Sequence, residues 1–494
     1  MILYDLIKTV KIKCSKVNLN TEIKGIASDS RKIKSGYAFV AINGDKRDGN
    51  DYIEEAIKNG ASVIVTDNKN LYCNFPTVHV ENARESLSLM WNEYYENPTK
   101  NMKIIAITGT NGKTSCAYLL YSILRKARKK CGLISTIECL INDKNHKIEK
   151  KGAVSDIYAE MTTPDPEVLY SIFNVMKNDG VEYVVMEASS HSISQKRLAG
   201  VEIYLSAFTN LSREHLDYHK NMENYYNSKK ELLANSQIGI VNIDDEFGKK
   251  LINEIPRLYT SSTKTKADFC AENIEFSNTG CSFLAKSKDN TIEIVSNLLG
   301  NFVPENIMIA FALANLLEIP YDSIKEGILS CNQIKGRMEM IENSIIIDYA
   351  HTEEAMKNTI LSIKKHNPHK LITVVFGCGG DRDKSKRSQM GRIASDYCDK
   401  IILTSDNSRS EKTEDIINEI KSGISSQAEC YVIEDRKKAI EFAVKTKQEN
   451  EILLLLGKGH ENYEINRNGK SYFNEREIVK EALKNVQNKN DESV

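Results

Sequence analysis

The sequence carries almost no net charge: 67 Lys and Arg face 68 Asp and Glu over 494 residues, a formal charge of -1 at pH 7. So even a balance provides no long-range field to attract nucleic acid or an anionic membrane, and any anionic ligand must be caught by local groups. Long hydrophobic runs are missing too. The longest, such as "ILLLLG", fall far short of the ~18–20 apolar residues a spanning helix needs. The 11 cysteines are scattered, without a CxxC pair or any metal-ligand spacing, which fits a reducing cytosol. The N-terminal "MILYDLIKTVKIKCSK" interrupts its apolar residues with charges and lacks a small-residue cleavage site, so no signal peptide is expected. No repeat or low-complexity block occurs beyond the polar tail "KNVQNKNDESV", which is expected to fray. These absences predict a soluble cytoplasmic protein with no nucleic-acid or membrane partner.

What is present is globular material, 41% hydrophobic and 27% charged, enough for about three domains at roughly 150 residues each. Residues 1–100 mix short apolar runs, "AFVAI" and "ASVIVT", with turn signals at "NGDKRDGND", and close on a helix-like "MWNEYYENPTKN". From residue 101 strand-like and helix-like stretches alternate: "KIIAITG", the amphipathic "KTSCAYLLYSILRKARKKCG", then "GLIST", "EYVVMEAS" and "IYLSAFTNL". This rhythm predicts an α/β domain with a mainly parallel sheet over 101–335. A second series over 336–494, with strands in "SIIIDYA", "KLITVVFGCGG", "KIILTSDN", "CYVIED" and "EILLLLGKG", predicts a Rossmann-like, doubly wound domain. Its polar motifs "DYAH", "GCGGDRD", "SDNSR" and "GKGHE" all fall at the carboxyl ends of strands, where such folds bind ligands.

The stretch "KIIAITGTNGKTS" resembles a phosphate loop whose first glycine is displaced. Gly112, Lys113 and Thr114 end it in the usual way, but Ile107 holds the first glycine position and Gly109 follows two residues later. A strand before and a helix after supply the context that such a loop requires. Backbone N–H groups from Gly109 through Thr110, Asn111, Gly112 and Lys113 to Thr114 are expected to form an anion nest. Lys113 would reach outer phosphates and the Thr114 hydroxyl a magnesium ion. Glu187 ends a hydrophobic strand and could hold that ion or be an ordinary strand-end acid. His215 and His219, four apart in "NLSREHLDYHKNMENYYNSKKELL", read as a metal pair or a polar helix face. By periodicity alone, Lys229 and Lys230 are solvated helix lysines.

Six ordered motifs, "GTNGKTS", "MEASSH", "NLSREHLDYH…KK", "DYAH", "GCGGDRD" and "GKGHE", resemble those of the Mur ligases over essentially the whole chain. The nearest branch adds the third residue of the peptidoglycan stem peptide. The resemblance implies three domains: a small N-terminal α/β domain for the UDP-substrate, a central P-loop-like ATPase and a C-terminal amino-acid domain. It also implies ATP-driven ligation through an acyl phosphate, in a monomer, with two Mg²⁺ ions. Lys113, His215 and Lys229 would be catalytic, and Thr114, Glu187, His215 and Lys229 would hold metal. Lys229, fourteen residues after His215, matches the lysine that reacts with CO₂ to a carbamate. Ser115, Asn306, Arg337, Asp348 and His351 would join the loop on the ATP side. Ser28, Ser30, Thr162, Thr163, Ser189, Gln195 and Arg197 match positions contacting the UDP-N-acetylmuramoyl-dipeptide.

The added amino acid is read from Asp406-Asn407-Ser408-Arg409. Relatives that add meso-diaminopimelate carry Asp-Asn-Pro-Arg, and lysine-adding relatives lack the arginine. Arg382, Gly457 and Glu461 match the remainder of a diaminopimelate pocket. Two arginines suit a diamino-dicarboxylate better than lysine, whose cationic end they would repel. Meso-diaminopimelate is the expectation, ahead of lanthionine and L-lysine. A folylpolyglutamate-synthetase-like ligase would share the loop but not the N-terminal "SDSR" segment. A non-catalytic UDP-sugar-binding protein should have lost Lys113, His215 or Lys229.

Overall fold

The computed structural model describes residues 1–44, 47–71, 74–145, 149–150, 153–154, 161–342 and 344–491. Part of the "NGDKRDGND" turn, residues 45 and 46, lies outside them. The chain divides into two compact units: residues 1–108, 129–207 and 227–239 form one, and residues 109–128, 208–226 and 240–494 the other.

In the first unit, a five-stranded sheet begins with Ile12–Lys16 antiparallel to Thr77–Val80. Ala61–Thr66, Tyr37–Ala41 and Gly25–Ala27 follow as parallel neighbours. Helix Ala83–Tyr94 closes this part, and Glu96 and Asn97 then take positive φ values of 54° and 47° that stop it. A second sheet places Tyr183–Glu187 between Lys103–Thr108 and Cys131–Ile134, parallel to both. Ile104 to Ile107 and Val184 to Met186 are wholly buried, because strands covered on both faces must be apolar throughout. The helix expected to run on to the glycine of "KKCG" stops at Lys126. Arg128 turns to φ 56°, and Cys131 and Gly132 begin the next strand.

The second unit contains a meander that the sequence reading missed: Phe269–Ser277, Gly280–Lys286 and Thr291–Ser296 pair antiparallel. The last of these alternates exposed and buried residues, as a half-covered strand should. The C-terminal sheet runs Glu339–Glu342, Ile345–Asp348, Glu451–Leu456, Leu371–Phe376, Lys400–Leu403, Glu429–Val432. All its pairings are parallel except the first. The final strand of the series therefore inserts between the first and second, and the order reverses there. That is where a doubly wound sheet opens a crevice at its carboxyl ends. Helix Glu475–Asp491 takes up the polar tail as far as Asp491, and residues 492–494 lie outside the described set. Among the described residues no helix is long and apolar enough to cross a membrane.

Candidate functional site

The phosphate loop sits between strand Lys103–Thr108 and helix Lys113–Lys126. Gly112 caps that helix at φ 85°, and a Cβ there would lie 2.3 Å from Asn306 Oδ1. Only glycine meets both demands, and the expected nucleotide-side asparagine lies against the loop. The anion nest is narrower than expected. Asn210 takes the Thr110 N–H on its carbonyl and the Asn111 N–H on Oδ1, both at 2.9 Å. Those two N–H groups are engaged within the protein, and the turn at Gly112 opens the helix N-terminus itself. Lys113 Nζ folds back onto the carbonyl oxygens of Gly109 (2.9 Å) and Thr110 (2.8 Å). Arg337 Nη2 donates to the Thr114 hydroxyl at 3.1 Å, while its guanidinium lies over the Tyr349 ring.

Asp348, expected on the ATP side, is used internally. It accepts from the Met338 and Ala350 N–H groups and the Thr359 hydroxyl at 2.8, 3.1 and 3.1 Å, and burial raises its carboxyl. It shapes the turn that presents His351.

His215 and His219 do not share a helix face. His215 precedes the short helix Leu216–His219 in a left-handed conformation, φ 55°, which turns its side chain away from the helical repeat. His219 is buried and stacks on Tyr225. Among the described residues no cluster of three or more His, Cys, Asp or Glu could hold a metal ion. The neighbour that sequence reasoning missed is Glu214. Its Oε1 lies 3.1 Å from His351 Nε2 and 3.7 Å from His215 Nε2. Burial alone would raise this carboxyl, but His215, the His351 hydrogen bond and Lys113 hold it well below the ordinary carboxylate range. It lies inside "NLSREHLDYH", but nothing along the chain singles it out, because only the fold brings His351 to it.

An open cleft of about 180 Å³ lies at the carboxyl ends of the C-terminal strands. It collects His215 and His351 with Arg382, Asp406, Asn407, Arg409, Gly457 and Glu461, residues read from five separate motifs. Arg382 reaches Asp217 at 3.4 Å, and Arg409 Nη1 donates to the Gly380 carbonyl at 2.8 Å. Asn407 donates to Glu461 Oε2 at 2.8 Å. Gly457 stands at φ 112°, where a Cβ would come 2.8 Å from Asp406 Oδ2. Ser408 is buried behind the cleft and does not line it. The loop carrying Arg382 is clamped from below by Glu411, which accepts from Asp381 N–H and from the fully buried Arg387.

The Arg387 hydrogen bonds, with Lys384, hold Glu411 down at about 2. A carboxyl depressed by folding stabilises above its ordinary value and loses that contribution as pH falls toward the depressed one. Glu411→Gln is therefore expected to lower thermal stability at pH 7, and the gap from wild type should close between about pH 4.5 and pH 2. A melting series across that range checks it.

The first unit holds the other predicted residues. Glu187 is fully buried; its two oxygens accept from Thr136, the backbone N–H at 2.8 Å and the hydroxyl at 3.1 Å. Thr136 was not foreseen. Its hydroxyl also lies 3.1 Å from Thr162 Oγ1, which can donate to it. The Thr163 hydroxyl links the Glu187 carbonyl to the Ser189 N–H, at 2.8 and 3.1 Å. Arg197 is buried, held by the Thr163 carbonyl at 2.6 Å, by Gln195 and by Asp165 at 3.2 Å. Five of the expected dipeptide-side residues therefore form one connected patch beside Glu187. Ser30 is buried against Glu55 at 2.7 Å, whereas Ser28 is exposed. Lys229 is only 1% exposed, its Nζ 3.5 Å from the Thr108 hydroxyl, and Lys230 is the more exposed of the pair. A buried amine at the end of the strand that feeds the phosphate loop is not a solvated helix lysine.

Family models match most of the chain: the Mur ligase family catalytic domain over residues 22–95, the Mur ligase middle domain over 107–314 and the Mur ligase glutamate ligase domain over 336–459. The chain is 41% identical, over 98% of its length and 99% of the relative's, to a UDP-N-acetylmuramoyl-L-alanyl-D-glutamate--2,6-diaminopimelate ligase of Caldanaerobacter subterraneus. A protein of the same name from Clostridium perfringens is 39% identical over 98% and 99%. A solved structure bearing that name superposes with a TM-score of 0.68 at 27% identity, covering 99% of each chain. The MurF ligase of Thermotoga maritima, solved with ADP, shares the fold at a TM-score of 0.61 and 17% identity, over 95% of this chain and 99% of that one.

Proposed function

The chain belongs to the Mur ligase family, and on that premise we propose that it joins meso-diaminopimelate to UDP-N-acetylmuramoyl-L-alanyl-D-glutamate, consuming ATP, in peptidoglycan precursor synthesis. The observation that carries this reading is the cleft where Arg382, Arg409 and Glu461 converge, offering two cations and an anion to an amino acid with two carboxylates and a distal ammonium. The proposed division of labour is residues 1–100 for the uridine nucleotide, 101–335 for ATP and 336–494 for the amino acid, in a cytoplasmic monomer.

The carboxylate of the dipeptide attacks the γ-phosphorus of ATP, ADP departs, and an acyl phosphate forms. The amine of diaminopimelate then adds to the acyl carbon, loses its extra proton, and phosphate is expelled as the amide closes. A carboxylate is a weak nucleophile and repels ATP, so charge neutralisation and positioning dominate. Lys113 leaves its loop carbonyls for the outer phosphates, and the helix N-terminus at Gly112–Ser115 receives the β-phosphate. Arg197 and its threonine neighbours hold the dipeptide. Magnesium, the family's ion, would neutralise phosphate oxygens, and the oxygen donors Thr114 and Glu187 suit it. An ammonium at Lys229 does not; a carbamate there would supply oxygens, and His215 would support a second ion.

ADP release measured with each amino acid offered singly tests the substrate. Turnover confined to L-lysine would overturn the diaminopimelate reading, and robust turnover with lanthionine would replace it. Dipeptide labelled with heavy oxygen in its free carboxylate should pass one label to inorganic phosphate; unlabelled phosphate would rule out the acyl phosphate.

A further inference from the structure

Lys458 lies in "GKGHE" between two residues of the amino-acid site, yet none of the readings above uses it. Its side chain is wholly buried, an expensive place for a cation without partners. The partners are specific. Nζ donates to Asn407 Oδ1 at 3.1 Å and the Tyr463 carbonyl at 2.9 Å. It lies 3.7 Å from Asp406 Oδ1 and 3.8 Å from Glu461 Oε2. We propose that Lys458 is a positioning residue for the amino-acid pocket: from the buried side it holds Asp406, Asn407 and Glu461 so that Glu461 faces the cleft as a carboxylate and receives the distal ammonium of the incoming diamino acid. This rests on the ligation proposed above and deepens it.

The bond pattern supports the assignment. Asn407 is fixed at both ends of its amide, Oδ1 accepting from Lys458 and from the Ile465 N–H at 2.9 Å, and its Nδ2 donating to Glu461 Oε2. That leaves Glu461 Oε1 for the cleft. Two acids so close cannot both stay ionised in a buried site without a cation between them. Burial and Asp406 raise the Glu461 carboxyl, against Lys458, the Asn407 hydrogen bond and His351. Asp406 is itself held down by Lys458, Arg436, the Asn407 N–H and His351. Tyr349 also feels Glu461, and Arg409 and Lys386 line the same cleft. If the Lys458 charge is removed, Asp406 keeps Arg436, so Glu461 is the acid that takes up a proton and the ammonium loses its partner.

Lys458→Met keeps the length and apolar stem. It should raise KM for the diamino acid about tenfold or more, as for loss of a charge-assisted hydrogen bond to the ammonium, with KM for ATP within about twofold. That KM should fall again as pH rises and Glu461 ionises, a recovery that a loosened fold would not show. In a Glu461→Gln background, adding Lys458→Met should change KM little, since coupled residues are not additive. An unchanged KM in the single variant, a parallel rise in KM for ATP, or an equal further loss in the double variant would overturn the assignment. The assay is valid whichever diamino acid wild type uses, because diaminopimelate, lanthionine and lysine all end in an ammonium. A wild type releasing no ADP with any of them would instead overturn the ligation itself.

Discussion

Lys229→Ala is expected to lower turnover about 10²–10³-fold, the range for losing one group that stabilises charge in the transition state, and millimolar formate or acetate should restore part of it. Lys230→Ala, one residue on, should stay within about twofold of wild type. Lys229 is buried at the end of the strand that feeds the phosphate loop. A bare ammonium there would repel the magnesium that ATP brings, whereas a carbamate on the same stem offers anionic oxygens. Short carboxylates can occupy the space the side chain vacates and supply such oxygens without the tether. An unimpaired Lys229→Ala enzyme would remove Lys229 from the mechanism. Impairment without carboxylate rescue, together with an unshifted mass for the intact protein in bicarbonate, would leave an amine rather than a carbamate as the working group.

Arg409→Ala is expected to raise KM for meso-diaminopimelate about 10- to 100-fold, as for loss of charge-assisted hydrogen bonds, while KM for ATP stays within about twofold. Selectivity should move toward L-lysine, which has no second carboxylate to lose. Arg409 stands in a left-handed conformation, φ 51°, and its Nη1 is anchored on the Gly380 and Asn407 carbonyls at 2.8 and 3.3 Å. An arginine fixed this way presents its remaining N–H groups at little entropic cost. Initial-rate measurements with both amino acids decide it. Equal losses for the two would mean that Arg409 supports the loop and does not read the substrate.

The same contacts show why Ser408 can stand where relatives that add diaminopimelate carry proline. Its side chain does not line the cleft, and a Cβ on Gly380 would come within 1.9 Å of its carbonyl. The loop is held by that tight backbone packing and by Arg409, so its shape does not depend on a proline ring.

Much of the protein was legible because its signals are local. A strand, a glycine-rich turn and a helix N-terminus follow one another within the stretch Lys103–Lys126, and their chemistry needs nothing distant. Hydrophobic runs marked the parallel strands, since burial on both faces leaves no alternation to confuse. Polar motifs at strand ends marked the cleft. The antiparallel meander over residues 269–296 was less visible: its first and last strands carry exposed polar residues, which break up the hydrophobic-run signal.

The sequence by itself determined the family and the alternation of parallel strands with helices on either side of the glycine-rich turn, because these depend on spacing along one chain. Tertiary structure alone decided which of two adjacent lysines is buried, and that His215 and His219 part company at a left-handed backbone. It alone brought Glu214 to His351, 137 positions away, and put Lys458 behind Asp406 and Glu461. The physical reason is the same each time. Burial and charge pairing depend on what packs across space, and periodicity along the chain cannot see the far side of a contact.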